Sequence, residues 1–491
     1  MSNAGEGGGA AKRGPSRRRD GDGGGGAGAI RATPSAAGGR RGVHGSIPAA
    51  DPAREVALRA LLAVERGAEA GPALRRELDR VLDPRARALA TELVYGVTRL
   101  RGALDMEIGQ HCRTAIEALA PAVRAVLRLG AYQLRVLDRI PDYAAVGSSV
   151  TLVRRHVPAA TGLVNAVLRH IAAAGRPQPA AAAAASLASH PAWLVQRWTE
   201  RLGADEAAAL CAADNRPLPV VLRTNPLRAD RDGLLAEFAA MGVAATPGRW
   251  LPEAVYLGRG TVPAGLAALR QGRCSVQGEA SMLVAHVADP APGALCLDVA
   301  AGPGGKATHL AEWMGDQGTV VANDAAPWRA ALVGQAAARL GLRALRVQVG
   351  DGRSLPGAWA GACDVVVADL PCSGLGTLAT RADARWRKRE ADIFALSLVQ
   401  RELLAAAALC VRPGGRLVYS TCTTEPEENE EIVAAFLADH PTFAPEDMRP
   451  RLPAGLVAAT AGGGATLRLW PHHHGTEGFF VAALVREKAG R

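Results

Sequence analysis

Apolar residues recur at helical spacing along the chain from residue 51 to about residue 175. They stand three or four positions apart in AREVALRALLAVERG, ARALATELVYGVTRLRGALDMEIG, LAPAVRAVLRLGAYQLRVL and TGLVNAVLRHIAAA, and glycine or proline separates these segments. This period is typical of amphipathic helices that share one core. The pattern predicts an all-α domain over residues 51–175.

The pattern changes between residues 176 and 272. The composition of GRPQPAAAAAAS indicates a linker, and two helices are predicted after it, around Trp193–Leu202 and Asp205–Ala213. Short β-like runs, PVVLRTNP and AVYL, then alternate with the helical stretch RADRDGLLAEFAAMG. These features predict linker helices followed by a small α+β module.

From residue 273 to residue 488, strands and helices alternate. The apolar, β-branched runs ALCLDVA, GTVVAND, ALRVQV, CDVVVADL and GGRLVYST are separated by helical segments. Such alternation predicts an α/β domain with a parallel, doubly wound, Rossmann-like sheet. Because ligands of these sheets bind at the carboxyl ends of the strands, the residues that follow each run are the candidate site.

Composition fits a globular protein of several domains. The chain has 491 residues, of which 48% are hydrophobic and 21% charged, and its net charge of +10 suits a polyanionic partner without deciding it. No apolar stretch approaches the ~20 residues of a membrane helix, so no membrane span is expected. Residues 1–50 are glycine-rich and basic, which predicts a disordered tail. No apolar core follows these basic residues, so we expect no secretory signal and a cytoplasmic protein.

Neither the cysteines nor the histidines form a metal-binding pattern. The eight cysteines are scattered without a CxxC pair, which predicts neither a disulfide framework nor a zinc ribbon. His472, His473 and His474 are adjacent, so their side chains are expected to diverge, and no cysteine or carboxylate stands at ligand spacing from them. No metal site is therefore expected.

A glycine-rich turn, Asp298-Val-Ala-Ala-Gly-Pro-Gly-Gly-Lys306, follows the first predicted strand of the α/β domain. Asp324 ends the second strand, where a carboxylate can accept both hydroxyls of a ribose, and Asp351 follows the third, near the expected adenine. Alanine at positions 300 and 307 removes the phosphate-loop motif of nucleotide hydrolases. These residues predict a nucleoside cofactor. The glycine-rich turn by itself does not exclude NAD as that cofactor. The candidate cofactor-binding residues are Ala300, Ala301, Gly302, Pro303, Gly304, Gly305, Lys306, Asp324 and Asp351.

Two cysteines follow the fourth and fifth predicted strands. They stand in Asp369-Leu-Pro-Cys372 and in Ser420-Thr-Cys422, so both are expected to face one crevice. Hydride transfer needs no thiol beside a nucleoside. Methylation of C5 of a pyrimidine does need one, because that carbon is a poor nucleophile until a thiolate adds to C6.

These motifs resemble those of the S-adenosylmethionine-dependent RNA cytosine-5 methyltransferases, through the turn 298–306, Asp369-Leu-Pro-Cys372 and Thr421-Cys422. The helical domain is similar to the antitermination factor NusB, through Glu92–Gly96, Leu127–Leu134, Ile140–Val146 and Val164–Arg169. The fusion of both resembles the Fmu/Sun type of bacterial 16S rRNA cytosine-5 methyltransferase over roughly residues 52–488. Three positions depart from the family pattern: Ala300, Gly302 and Glu477 stand where members commonly have Cys, Ala and Asp.

The resemblance implies roles for the candidate catalytic residues. Cys422 is implied as the nucleophile and Cys372 as the thiol that assists release of the product. Lys306 is expected near the cofactor and the nucleophile. Asp369 is implied either as a hydrogen-bond donor to N3 of the base or as a contact of the cofactor. The RNA-facing residues implied by the family are Arg223, Asn225, Arg385, Trp386 and Arg387.

The resemblance also implies the cofactor and the partner. We expect S-adenosylmethionine as the cofactor and, as the substrate, a cytosine in 16S rRNA or in an assembling small ribosomal subunit, with the protein acting as a monomer. Two alternatives stay open, namely methylation of transfer RNA or another RNA, and a noncatalytic NusB-like RNA-binding or antitermination factor. The presence of Lys306, Asp324, Cys372 and Cys422 argues against the second alternative.

Overall fold

The structure, a computed structural model, describes residues 51–175, 179–258, 260–460 and 464–488, and of residues 179–183 it describes the backbone only. The predicted tail, residues 1–50, lies outside the described residues. All the elements below belong to the single compact unit that begins at Ile47.

The first domain is all-α, as predicted. Asp51 begins it as a helix cap, since its carboxylate accepts hydrogen bonds from the N–H groups of Ala53 and Arg54. Gly96 and Tyr132, from two of the NusB-like motifs, pack so closely that a Cβ at Gly96 would lie 2.1 Å from the Tyr132 ring. The helices are α1 (Pro52–Glu65), α2 (Ala70–Leu78), α3 (Pro84–Arg99), α4 (Arg101–His111), α5 (Pro121–Val136), α6 (Asp142–His156) and α7 (Thr161–Ala173).

The connecting region contains more helix than its composition predicted. It forms α8 (Pro179–Ala188), α9 (Ala192–Leu202) and α10 (Ala204–Asp214). The expectation of a linker across GRPQPAAAAAAS is therefore wrong for the alanine run, which lies in α8. Alanine has the highest helix propensity of any residue, and this outweighs the two prolines before the run.

The α+β module holds one antiparallel sheet in the order β2-β3-β1-β4. Its elements are β1 (Val220–Thr224), α11 (Arg231–Ala240), β2 (Ala245–Pro247), β3 (Ala254–Leu257), α12 (Ala267–Arg270) and β4 (Cys274–Val276). The last strand lies beyond residue 272, where the module was predicted to end. Pairing with β1 draws this short strand into the module.

The α/β domain is built on a larger sheet, in the order β10-β12-β9-β8-β5-β6-β7, with β11 paired to β12. Helices cover both faces of this sheet. The elements are α13 (Glu279–Ala288), β5 (Leu295–Asp298), α14 (Gly305–Trp313), β6 (Thr319–Asp324), α15 (Pro327–Leu340), β7 (Leu345–Val349), β8 (Cys363–Asp369), α16 (Ala384–Arg387), α17 (Glu390–Cys410), β9 (Val411–Thr421), α18 (Glu430–Asp439), β10 (Phe443–Pro445), α19 (Ala454–Ala459), β11 (Thr466–Leu469), α20 (Pro471–His474) and β12 (Phe479–Arg486).

The prediction of a Rossmann-like α/β domain is confirmed, but the sheet is mixed instead of parallel. Strands β7, β6, β5, β8 and β9 run parallel, as the alternation predicted. Strand β12 runs antiparallel to β9, and β10 and β11 run antiparallel to β12. For β11 and β12 the physical reason is their short connection, because a parallel pair would need a longer crossover.

Helix α17 corrects the expectation that no stretch approaches the length of a membrane span. It is 21 residues long, with a mean hydropathy of 1.6 in its most apolar window, and it is the one described helix that is long and apolar enough to cross a membrane. It packs on the sheet through Leu403, Leu404 and Ala407. Its buried Gln400 also donates a hydrogen bond to the carbonyl of Pro371. These contacts are those of a core helix.

Candidate active site at the carboxyl edge of the sheet

The glycine-rich turn and the Asp324 carboxylate are bonded to each other. The Gly302 N–H donates to Oδ2 of Asp324 at 2.9 Å, and the Ala326 N–H donates to Oδ1 at 2.9 Å. A Cβ at Gly302 would lie 2.5 Å from that Oδ2 and 2.7 Å from Cβ of Arg329. Glycine at this position therefore leaves room for the Asp324 and Arg329 side chains. Gly304 has φ +109°, which favours glycine at the start of α14.

Asp298, the last residue of β5, is a buried acid at the base of the turn. Its Oδ1 accepts one long hydrogen bond, 3.4 Å, from the Ala300 N–H, and its Oδ2 has no partner among the described residues. Burial, and then the negative charge of Asp369, raise the pKa of Asp298 to about 7. A buried carboxyl group with an unfilled acceptor suits a ligand that brings a donor to this position.

Asp351 follows β7 at the carboxyl edge of the same sheet, and its side chain is exposed. Its carboxylate accepts from the Arg353 guanidinium at 2.7 Å, and this bond lowers the pKa of Asp351 to about 2. Asn323 joins the turns after β5 and β7, because its Nδ2 donates to the carbonyls of Val299 and Gly350. These two bonds hold the backbone in place on the side of the site where adenine is predicted to bind.

The two predicted catalytic thiols lie together. Sγ of Cys372 is 3.4 Å from Sγ of Cys422, although 50 residues separate them. Cys372 follows β8 and Cys422 follows β9, and these neighbouring strands are parallel, so their carboxyl ends meet at one edge. Both thiols are free and partly exposed.

The pair is polarised. The pKa of Cys422 lies below its ordinary value because the Cys372 thiol donates to it and because Arg381 and Lys306 bring positive charge, which together outweigh burial and the charge of Asp369. The pKa of Cys372 is raised well above its ordinary value by the same hydrogen bond and by burial. Cys422 is therefore the member that ionises first. Since the thiolate is the reactive form, Cys422 is the better nucleophile.

Lys306 and Asp369 form an ion pair beside the thiols. Lys306 Nζ lies 2.7 Å from Oδ2 of Asp369, and the Ser420 hydroxyl donates to Oδ1 at 2.8 Å. The Phe479 ring lies 5.4 Å from Nζ. Burial favours neutral Lys306, but the charge and hydrogen bond of Asp369 outweigh it, so the pKa of Lys306 is raised. The ammonium group stays charged near Cys422.

A buried carboxyl group, Glu428, joins the two cysteine segments. The Ser373 N–H donates to its Oε1 at 2.7 Å, and Gln400 of α17 donates to the same oxygen at 3.1 Å. The hydroxyls of Ser373 and Thr423 lie 2.7 Å apart. The residues that follow Cys372 and Cys422 are thus bonded to each other, which fixes the separation of the two thiols.

Helix α9 holds the segment after Cys422 through a second buried carboxylate. Glu425 accepts from Trp198 Nε1 at 3.0 Å, from Arg197 at 2.6 Å and from Arg201 at 2.8 Å. Burial alone would raise the pKa of Glu425, but these donors hold it below its ordinary value. The linker helices therefore support the catalytic edge directly.

The expectation that Arg223 and Asn225 face RNA is corrected by their burial. Arg223 has no exposed side-chain surface and donates to both carboxylate oxygens of Glu312, at 2.9 and 3.0 Å, and to the Gly305 carbonyl at 2.7 Å. Asn225 donates to the Gly272 carbonyl at 2.9 Å and accepts from the chain two residues on. Both side chains bind the protein itself: Arg223 holds the α+β module against α14, and Asn225 bonds within the module.

Burial corrects the second predicted RNA-facing segment at Arg385. Trp386 and Arg387 also bond within the protein but are partly exposed, so their contact with RNA stays a prediction. Arg385 is fully buried, and Trp386 Nε1 donates to the Thr98 carbonyl of α3 at 2.9 Å. Arg387 pairs with Asp383 at 3.0 Å. This segment joins the helical domain to the α/β domain. The buried guanidinium of Arg385 donates to the backbone carbonyls of Arg99, Ser189, Asp214 and Leu378.

The histidine run has a carboxylate neighbour that its local sequence does not show. Oε2 of Glu206, in α10, lies 2.8 Å from His472 Nε2 and 3.0 Å from His473 Nε2. The two rings lie side by side, 4.1 Å apart, so the expectation of diverging histidines without a carboxylate is wrong. The three groups are close enough to share a metal ion. Glu206 is exposed and 266 residues from His472, and a hydrogen bond between the two side chains accounts for the contact.

Comparisons with known proteins agree with this architecture. A family model described as 16S rRNA methyltransferase RsmB/F matches residues 285–485, the NusB family matches 51–173, and the ferredoxin-like domain of RsmF/B-like methyltransferases matches 190–263. "Probable ribosomal RNA small subunit methyltransferase B" of Bacillus subtilis is 35% identical over 445 residues, covering 88% of this chain and 98% of that protein. The chain belongs to the RsmB/F family.

Two further relatives extend this comparison. "Ribosomal RNA small subunit methyltransferase B" of Pseudomonas putida is 34% identical over 443 residues, which is 89% of this chain and 99% of that protein. The crystal structure of PH0851 matches with a TM-score of 0.75 and 29% identity over 90% of this chain and 99% of that one. The fold class predicted from the sequence, a NusB-like domain, a small α+β module and a methyltransferase domain, is confirmed.

In this RsmB/F family member, the sequence reasoning missed several residues that shape the site. Asp298 begins the quoted turn, and a carboxylate ending a buried strand was a signal that could have assigned it a role. Ser420, Glu425 and Glu428 gave no such signal, because their partners lie far away in the chain. Arg381 was overlooked among the basic residues near the predicted RNA-facing segment, although its charge favours ionisation of Cys422.

Proposed function

We propose that this protein transfers a methyl group from S-adenosylmethionine to C5 of a cytosine in RNA, with 16S rRNA in the cytoplasm as the substrate. The observation that carries this proposal is the polarised thiol pair, 3.4 Å apart, at the carboxyl edge of a Rossmann-like sheet. Hydride transfer and simple RNA binding use no such pair. Membership of the RsmB/F family supports the choice of small-subunit rRNA.

The residues around the glycine-rich turn fit the cofactor. Asp298 Oδ2 is a buried acceptor without a partner among the described residues, and it suits the amino group of the methionine part. Asp324 ends the next strand, where it would accept from the ribose hydroxyls, and Asp351 would face the adenine. When bound, S-adenosylmethionine would supply an electrophilic methyl group, which nucleophilic C5 would take as the methyl–sulfonium bond breaks and S-adenosylhomocysteine is left.

In the proposed mechanism, Cys422 attacks first. Its thiolate forms a bond to C6 of the cytosine, and the electron pair of the C5–C6 bond makes C5 nucleophilic. The charges of Lys306 and Arg381 favour the thiolate. Both oxygens of Asp369 already accept hydrogen bonds, so we assign Asp369 to positioning Lys306 and not to donating a proton to N3.

The covalent product is then released. A base removes the proton from C5, the electron pair restores the C5–C6 double bond, and the bond between C6 and Cys422 breaks. We assign Cys372 to this step, because its Sγ lies 3.4 Å from that of Cys422, where its thiol can donate a hydrogen bond to the departing sulfur. Its raised pKa keeps the proton on Cys372 while Cys422 is ionised.

The two thiols should therefore differ when each is replaced. We expect Cys372→Ala to form a covalent adduct with RNA in the presence of cofactor and to release it slowly, whereas Cys422→Ala forms none. Denaturing gels with 16S rRNA from a strain that lacks this enzyme test this, and replacement of the buried Cys410, away from the site, is the matched control. Adduct accumulation with Cys422→Ala instead would invert the assignment.

The RNA class is decided by mapping 5-methylcytosine. Bisulfite sequencing of total RNA from a deletion strain should show one 16S cytosine that loses its methyl group. Loss at a transfer RNA position would favour the alternative substrate. An unchanged methylation map, together with the absence of any adduct, would favour a noncatalytic RNA-binding role.

A further inference from the structure

A cleft of about 420 Å³ opens where the three domains meet. It lies between α3 of the helical domain, strands β1 and β4 of the α+β module, and the segment Gly475–Glu477 before β12. Its volume falls in the range of small-molecule sites, roughly 300–1,000 Å³. Val220 and Val276 line it and are 38% and 53% exposed, so the cleft presents apolar surface to solvent. Such a wall suits the face of an unstacked base.

The inner end of this cleft adjoins the proposed nucleophile. Glu477 precedes Gly478, whose N–H donates to the Gly376 carbonyl at 2.7 Å, and the Gly376 N–H donates to the Cys422 carbonyl at 3.0 Å. On the opposite wall, Gln277 packs against Gly305, the residue before Lys306. These contacts join the walls of the cleft to the segments that carry Cys422 and Lys306, which suits a base close in sequence to the one held at Cys422.

Three carboxylates supply acceptors in the cleft, whose lining also includes the guanidinium of Arg99. Glu477 Oε1 accepts from the Thr380 hydroxyl at 2.6 Å, and no described residue donates to Oε2. Glu92, at the outer edge, likewise accepts from Tyr132 through one oxygen. Glu279, the third carboxylate, is already bonded to two backbone N–H groups and a tyrosine hydroxyl. The remaining acceptor oxygen of Glu477 therefore suits an N–H donor.

Among the bases, guanine matches this arrangement. Its Watson–Crick edge presents two adjacent N–H donors, N1 and N2, to the acceptor-only carboxylate, whereas the other bases set an acceptor beside each donor. We propose that the cleft binds an unstacked guanine next to the target cytosine, with Glu477 accepting from its Watson–Crick edge. This inference rests on the proposed function, and it gives that site a sequence preference.

The test is a binding measurement on the full chain. Short unstructured RNAs carry a central cytosine with guanine, inosine or uracil on its 5′ or its 3′ side, and fluorescence anisotropy reports their affinity. Inosine lacks only the N2 amino group. At one of the two positions we expect guanine to bind about tenfold more tightly than inosine or uracil. Glu477→Gln, which replaces one acceptor oxygen by a donor, should reduce this ratio to under about threefold.

A matched control separates this effect from loss of charge. Glu402→Gln removes an exposed carboxylate of α17 that pairs with Arg353, far from the cleft, and it should leave the guanine preference unchanged. Equal binding of guanine and inosine RNAs at both positions, or a preference that survives Glu477→Gln, would overturn the proposal. This assay needs no methyl transfer. Failure of Cys372→Ala to trap RNA would refute the proposed function alone, whereas normal trapping without guanine preference refutes only the cleft.

Discussion

Replacement of Arg223 by methionine tests whether this side chain serves the interior of the protein or RNA. Arg223 and Glu312 both have no exposed side-chain surface, and the guanidinium donates to both carboxylate oxygens. Removing one member of such a pair costs about 3–5 kcal/mol, because the other charge stays buried without a partner. We therefore expect Arg223→Met to lower the free energy of unfolding by this amount.

A double variant checks the origin of the loss. Replacing both residues with apolar side chains, Arg223→Met with Glu312→Leu, removes the uncompensated charge, and such exchanges are often close to neutral. The double variant should therefore regain most of the lost stability. Urea unfolding of the full chain, followed by circular dichroism, measures each difference, provided that the slope of the transition is unchanged.

The loss of stability in the single variant Arg223→Met should also depend on pH. Burial raises the pKa of Glu312, and Arg223 opposes this shift, so without Arg223 the pKa rises further. A folded state with a raised carboxyl pKa binds more protons than the unfolded chain, so stability falls as pH rises from the ordinary value of 4.5 through the folded pKa. The destabilisation should therefore be smallest at acidic pH and largest at neutral pH.

RNA binding gives a second test of whether Arg223 contacts RNA or the protein interior. A lysine or arginine that contacts a phosphate contributes about one unit to the slope of log affinity against log salt concentration. Because Arg223 is buried, we expect this slope to be unchanged in whichever variants remain folded at the assay temperature. A variant with normal stability and a slope reduced by about one unit would refute the assignment of Arg223 to the interior.

Two further predictions concern the site itself. Asp324→Ala should weaken S-adenosylmethionine binding by about 1–3 kcal/mol, because the ribose hydroxyls lose their acceptor, and calorimetry showing unchanged affinity would remove Asp324 from the site. Alkylation of Cys422 by iodoacetamide, followed by peptide mass spectrometry, should set in at a pH below the ordinary thiol pKa of 9.0. Cys372→Ala should move this onset to higher pH, because the hydrogen bond that stabilises the thiolate is lost; an onset that stays in place would contradict the polarised pair.

Much of the architecture could be predicted from the local pattern of the sequence. The helical period over residues 51–175 and the β-branched runs after residue 273 depend on short-range spacing, which a single chain displays directly. Parallel strands bring their carboxyl ends to one edge, so Cys372 and Cys422 could be expected to meet before their 3.4 Å separation was known. Strand β12 was harder to place, because the direction of a strand depends on its connection and not on its composition.

Burial of charged residues depended on the tertiary structure. Arg223 and Arg385 have the residue type and setting of RNA contacts, yet Glu312 and a set of backbone carbonyls enclose them. Whether a cation is a surface group or an interior one depends on partners distant in sequence, such as Glu312, which lies 89 positions from Arg223. The difference in pKa between the two thiols also depends on residues that are distant in sequence. Spacing alone does not distinguish Cys372 from Cys422, whereas in the folded chain the hydrogen bond from Cys372 and the charges of Arg381 and Lys306 lower the pKa of Cys422.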